Sequence, residues 1–88
     1  MKEDETMSKA VSISVKAMYI RGEFFDCFFS YAYDTGIQHG RAIRTTNAAV
    51  SERWLRRIEK LSGELAHRSI NPFNEDITYI EIEYFRMW

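Results

Sequence analysis

Apolar and polar residues alternate with a period of two near the start of the chain. Residues 11–17 read Val-Ser-Ile-Ser-Val-Lys-Ala and are rich in β-branched side chains, which predicts a strand that continues to about Ile20. The dipeptide Arg21-Gly22 follows, and Gly22 can supply the positive φ that a two-residue hairpin turn requires. The pattern therefore predicts a β-hairpin at the start of the fold.

The next segment, residues 23–33, reads Glu-Phe-Phe-Asp-Cys-Phe-Phe-Ser-Tyr-Ala-Tyr and would carry aromatic side chains on both faces of a strand. Its phenylalanines also fall within one arc of a helix, so a helix is the alternative interpretation. We predict a strand because aromatic residues favour strands and a turn signal lies on each side. The strand face that we expect in the core consists of Phe25, Cys27, Phe29, Tyr31 and Tyr33.

Phe24 and Phe28 would then lie on the other face of this strand, among polar neighbours. An exposed aromatic pair with a polar rim is typical of a surface that a partner or a second copy of the chain covers. The ordinary alternative is that residues 10–20 or the N-terminal tail cover the two rings. The pattern favours an open sheet face that carries an interaction surface.

Two further strands are predicted on either side of a helical segment. The turn signal Asp34-Thr35-Gly36 leads into residues 38–46, whose polar composition and Gly40 suit the edge of a sheet. Residues 77–85 alternate again and predict a last strand. In that strand Glu81 and Glu83 face water, and the residues that pack under the helix are Ile80, Ile82 and Tyr84.

The helix is predicted from apolar residues that recur every 3.6 positions. Asn47 or Ser51 can cap its N-terminus by accepting a backbone hydrogen bond. His67 and Arg68 suit the negative end of the helix dipole in the last turn, and Asn71-Pro72 ends the helix. The face that we expect to be buried consists of Trp54, Leu55, Ile58, Leu61 and Leu65.

These elements predict one α+β domain, with a mixed or antiparallel sheet of three or four strands and one amphipathic helix packed on one face. The domain spans residues 10–88, and the polar residues 1–9 form a disordered tail. A chain of 88 residues is long enough to bury one core. The single cysteine, the acidic N-terminus and the absence of a long apolar run predict a cytoplasmic protein.

Four basic residues of the predicted helix occupy an arc of about 80° opposite its apolar face. This basic stripe consists of Arg53, Arg56, Arg57 and Lys60. It has three interpretations: a solvated face, the contact for an acidic protein, or the contact for nucleic acid. Pairs of opposite charge such as Glu52 with Arg56 favour the first, but Arg53 with Arg57 and Arg56 with Lys60 repel each other. Nucleic acid ranks last because the net charge of the chain is -1.

The order of elements resembles small uncharacterised ββαβ proteins encoded by phages and prophages. The similarity covers roughly residues 24–85: the aromatic strand, the Thr35-Gly36 turn, residues 39–46, the amphipathic helix and the closing strand over residues 77–82. Phage proteins of this size often bind a host protein, and some inhibit defence systems. The resemblance therefore implies a binding protein, but it implies no site residues.

The sequence predicts no catalytic chemistry. Cys27 lies in an apolar strand without a base that would generate a thiolate, and His39 and His67 lack the spacing of metal ligands. We therefore predict a protein that is not an enzyme and has no catalytic residue, cofactor, metal, small-molecule substrate or membrane contact.

Our main functional prediction is that the chain binds a host protein or protein complex as its partner. The alternatives are a nucleic-acid-binding module that uses the basic stripe, and a structural homodimer formed through the open sheet faces. The predicted partner-binding residues are Phe24, Phe28, Arg53, Arg56, Arg57 and Lys60.

Overall fold

The computed structural model of the chain describes residues 10–33 and 39–85. Within them, one antiparallel sheet has the strand order β3-β2-β1-β5-β4, and one helix packs on it. The α+β class is therefore confirmed, whereas the predicted tail and the predicted turn at residues 34–36 lie outside the described residues. The elements are β1 (Ala10–Ile20), β2 (Glu23–Tyr33), β3 (His39–Thr45), α1 (Ala48–Ser62), β4 (His67–Ile70) and β5 (Ile77–Phe85).

The sheet has five strands rather than three or four, because the helix is shorter than predicted. It ends at Ser62, where Gly63 adopts a left-handed conformation with φ 76° and donates its N–H to the carbonyl of Glu59 at 2.8 Å. His67 and Arg68 therefore lie in β4, and Pro72 lies in the turn after β4. The prediction that residues 63–70 continue the helix is wrong.

The buried face of the helix is correspondingly shorter. Trp54, Leu55 and Ile58 are buried as predicted, but Leu61 is 41% exposed and Leu65, which lies beyond the helix, is 78% exposed. At the N-terminus Asn47 is the cap, since its Oδ1 accepts hydrogen bonds from the N–H groups of Ala49 and Val50. Ser51, the other predicted cap, is buried within the first turn.

The core lies between the helix and the three central strands. Ile13, Val15 and Ala17 of the central strand β1 are fully buried below the helix. The ring of Trp54 packs on Phe29 with the ring centroids 4.6 Å apart. Cys27, Phe29, Tyr31 and Ile82 are also buried, as the sequence predicts, and Ile80 packs against this cluster while remaining half-buried.

A β-bulge in β2 changes which aromatic residues face the helix. In the pairing with β1, Tyr19 lies opposite Phe24 and Met18 lies opposite Asp26, so Phe25 is an inserted residue. One extra residue shifts the alternation of side chains by one position. Phe24 therefore packs against the core, and Phe25 is 49% exposed. The predictions that Phe25 is a core residue and that Phe24 lies on the open face are both wrong.

Candidate binding surfaces

No described element covers the sheet face opposite the helix, and the middle of this open face is polar. Lys16 forms an ion pair with Glu81 at 3.7 Å, and its Nζ lies 4.4 Å from the centre of the Tyr79 ring. The Ser14 and Ser30 hydroxyls are 2.6 Å apart. Burying this charged centre against an identical one would require desolvation of two ion pairs, which is costly. The middle of the open face is therefore poorly suited to a face-to-face homodimer.

Beside this polar middle, on strands β2 and β3, lies an aromatic patch, which we define as Phe25, Phe28 and Arg44. The two rings are 49% and 48% exposed. Arg44 of β3 is paired with Phe28 of β2, so their side chains lie next to each other on the same face. Phe28 is thus on the open face as predicted, and the bulge replaces Phe24 with Phe25 as its aromatic neighbour.

A buried carboxylate lies within the patch and holds its arginine. Asp26 is 4% exposed, and its Oδ2 accepts a hydrogen bond from the Nε of Arg44 at 2.9 Å. Within residues 10–33 and 39–85, the other carboxylate oxygen has no hydrogen-bond partner. A buried charge is tolerated only when it is paired, so Asp26 fixes the position of Arg44. The guanidinium remains half-exposed and retains its two terminal amino groups as donors for another molecule.

The basic stripe lies on the solvent side of α1. Arg53, Arg56 and Lys60 are exposed, and Arg57 is half-buried. Glu52 binds Arg56, and this hydrogen bond together with the charge of Glu52 raises the pKa of Arg56. Among the described residues, Arg53 and Lys60 have no ion pair. That these four residues bind a partner stays a prediction.

The stripe borders a shallow groove along the helix. The groove surface is mainly apolar, since it is formed by Ala49 and by the aliphatic stems of the long side chains. Four cations and the carboxylate of Glu52 therefore surround an apolar floor, which leaves the rim with a net positive charge. Such a groove fits an apolar side chain that carries acidic neighbours.

The turn between β4 and β5 exposes a phenylalanine, Phe73, that is not among the predicted partner-binding residues. Phe73 is 96% exposed, the highest value among the large apolar residues of the described chain. Asn71 and Asn74 on either side of it form side-chain hydrogen bonds to the turn backbone. The sequence contains a signal for this exposed ring, because Phe73 is flanked by the turn-forming residues Asn71, Pro72 and Asn74.

The single cysteine of the chain, Cys27, is buried in the core. Burial raises the pKa of the Cys27 thiol, and the charge of Asp26 adds to this rise. The thiol is therefore protonated at neutral pH, in agreement with a packing role. Among residues 10–33 and 39–85, no three His, Cys, Asp or Glu side chains are grouped to hold a metal ion. No helix in these segments has the length and apolar character to cross a membrane.

The comparisons with known proteins yield no relative. No family model matches the chain, and no curated protein or solved structure matches it.

Proposed function

We propose that the chain is a non-enzymatic binding domain that docks on a protein through its aromatic patch. The observation that carries this proposal is the pair of half-exposed rings, Phe25 and Phe28, beside an arginine whose position is fixed by a buried carboxylate. Aromatic residues and arginine are enriched at the centres of protein interfaces. A fixed arginine also loses less conformational entropy when it binds.

The chemistry of the patch defines the partner. An apolar surface would cover the two rings, and a carboxylate next to it would accept hydrogen bonds from the terminal amino groups of Arg44. Burial of each half-exposed ring removes on the order of 100 Å² from water, which contributes about 2 to 3 kcal/mol. The resemblance to small phage proteins supports a host protein as this partner, and inhibition or modulation of that protein as the outcome.

A nucleic-acid-binding module is the second candidate function. It is favoured by Arg53 and Lys60, which lack ion pairs among the described residues and share one helix face. It ranks lower because four cations on a chain of net charge -1 create a small positive field. The aromatic patch also has a single exposed cation, Arg44, whereas proteins that stack single-stranded bases combine their rings with a positive groove that follows the backbone.

The proposed function is tested by crosslinked capture from a host lysate, followed by reconstitution with the purified captured protein. We expect Phe28→Ser and Arg44→Glu each to weaken the purified complex at least tenfold in calorimetry. Phe85→Ser is the matched control, because Phe85 is 69% exposed and is paired with Ser12 at the other end of the sheet. Equal affinity of all three variants for the purified protein would contradict docking through the patch.

A further inference from the structure

The turn that carries Phe73 is held by a dense set of hydrogen bonds. Asn71 Oδ1 accepts from the N–H groups of Phe73 at 2.8 Å and Asn74 at 3.1 Å, and Asn71 Nδ2 donates to the Tyr79 hydroxyl at 2.8 Å. Asn74 Oδ1 accepts from the N–H of Asp76 at 3.0 Å. These bonds hold the backbone of the turn that carries the ring, which lowers the backbone entropy lost when another molecule buries it.

The surroundings of this ring are acidic. Glu75 and Asp76 follow Phe73 and are exposed, and Asp76 is paired with Arg21, whose Nε lies 3.5 Å from its Oδ2. Arg21 also donates its backbone N–H to the Asp76 carbonyl at 2.7 Å, which ties the turn to the β1–β2 hairpin. The surface complementary to this turn is therefore an apolar depression with a positive rim.

The groove of the basic stripe has these properties. Its floor is apolar, and its rim consists of Arg53, Arg56, Arg57 and Lys60 together with Glu52, so the rim keeps a net positive charge. Glu52 is already paired with Arg56. The face of a phenylalanine ring attracts guanidinium and ammonium groups, and the carboxylates of the turn would pair with cations of the rim. Within one copy, no described contact joins the turn to the stripe, so a turn that fills the groove belongs to a second copy.

We propose that copies of this chain associate head to tail, with the Phe73 turn of one copy in the helix groove of the next. The two contacting surfaces differ, so a contact that is not reciprocated between two copies is heterologous and forms a ring or an open chain. The interface is smaller than about 1,200 Å², the size below which protein contacts are weak and transient. This association uses neither Phe28 nor Arg44, so Phe28→Ser tests the proposed function without removing either surface of this contact.

The experiment uses two variants that each lose one surface. Phe73→Ser removes the ring, and the double variant Arg53→Glu with Lys60→Glu reverses the rim of the groove. Sedimentation velocity of the wild-type chain should show association that increases with protein concentration and decreases with salt. Each variant alone should associate at least tenfold more weakly than the wild type. It should therefore be monomeric at concentrations at which the wild type associates.

The mixture of the two variants gives the decisive result. Each variant retains one intact surface, so an equimolar mixture should form a one-to-one heterodimer that does not grow further. Phe85→Ser, the control with an unrelated exposed ring, should associate like the wild type. A wild-type chain that stays monomeric at millimolar concentration, or a mixture that stays monomeric, would overturn the proposal. Circular dichroism spectra identical to the wild type verify that each variant is folded.

Discussion

Arg44 and Asp26 form an ion pair across β3 and β2, with the Nε and Oδ2 atoms 2.9 Å apart, and only the arginine is substantially exposed. No described element covers this sheet face, yet the Asp26 carboxylate on it is buried. The ion pair with Arg44 compensates the charge of this buried group. The same pair gives the aromatic patch its fixed cation. Stability and the proposed binding surface therefore depend on the same contact.

Arg44→Ala should destabilise the domain, because it leaves the Asp26 carboxylate buried without a counter-ion. We expect urea denaturation to show a decrease of about 1 to 3 kcal/mol in the free energy of unfolding. Arg56→Ala is the matched control, since its partner Glu52 is exposed and exposed ion pairs contribute little to stability. Equal effects of the two substitutions would mean that Asp26 does not depend on Arg44.

Deletion of Phe25 should be tolerated, because Phe25 is the inserted residue of the bulge. The pairs Tyr19 with Phe24 and Met18 with Asp26 can form in a regular ladder without it. We expect a folded chain that loses about 1 kcal/mol or less, within the range of ordinary surface changes.

Deletion of Ser30 is the matched control for the bulge. Ser30 lies opposite Ser14 in a regular part of the ladder, so its loss shifts the alternation for the rest of β2 and turns Tyr31 out of the core. This variant should unfold at a much lower urea concentration. Equal sensitivity to the two deletions would contradict the bulge.

Some signals in the sequence were sufficient to locate elements of the fold. Alternation located β1 and β5, and the Trp54, Leu55 and Ile58 spacing located the helix, because both patterns follow directly from burial. The strand β3 was located by the preceding turn signal and its polar composition. The bulge at Phe25 was not predictable from periodicity, since a pattern of alternation contains no mark of an inserted residue. Because of this one inserted residue, Phe24 packs against the core and Phe25 is exposed, which is the reverse of the prediction.

The end of the helix and the strand β4 were predictable in part. Gly63 was an available stop signal, but the spacing of Leu61 and Leu65 extends the apolar pattern across it. The residues of β4 are all exposed, so this edge strand has no apolar alternation to identify it. The pairing of Asp26 with Arg44 joins two strands, so it depends on a register that a single sequence does not define.

Substitution of Gly63 should measure the contribution of the left-handed residue at the end of α1. No atom lies within 4 Å of a Cβ added there, so the cost arises from the φ of 76° and not from a steric clash. We expect Gly63→Ala to lower the free energy of unfolding by about 1 kcal/mol, and Gly63→Asn to lower it less, because asparagine tolerates this conformation. Equal stability of Gly63→Ala and the wild type in thermal or urea denaturation would contradict the left-handed cap.

Cys27 should make the stability of the domain depend on pH in the alkaline range. Burial raises the pKa of its thiol in the folded state, so the folded chain retains this proton to a higher pH than the unfolded chain. Stability linked to Cys27 is therefore complete below the usual thiol pKa of ~8.5 and is lost as the pH rises towards the folded-state pKa.

Cys27→Ala tests this linkage. The variant lacks the thiol, so the stability difference between the wild type and Cys27→Ala should decrease from about pH 7 to about pH 10, the range around the usual thiol pKa. In addition, a thiol reagent should modify the native chain far more slowly than the urea-unfolded chain. A difference in stability that is constant over this range would show that the thiol is not linked to folding.

Reversal of the basic stripe separates protein binding from nucleic-acid binding. The variant in which Arg53, Arg56, Arg57 and Lys60 are all changed to Glu should retain its helix, because these residues lie on the solvent side of α1. Lost helix signal in circular dichroism would show that this face is needed for folding. Phosphate contacts release counterions, so nucleic-acid binding through the stripe would weaken steeply as salt increases. Burial of Phe25 and Phe28 against a protein is not screened and should change much less.

We therefore expect no complex with DNA or RNA tighter than the ~10⁻⁴ to 10⁻⁶ M of non-specific electrostatic contact at physiological salt. The measurement is a gel-shift titration at about 150 mM salt, the physiological ionic strength. The control is Phe28→Ser, which leaves the stripe intact and should behave like the wild type with nucleic acid. A nanomolar complex that the four-residue reversal abolishes and Phe28→Ser retains would make nucleic-acid recognition the primary function, because the aromatic patch would then be unnecessary for binding.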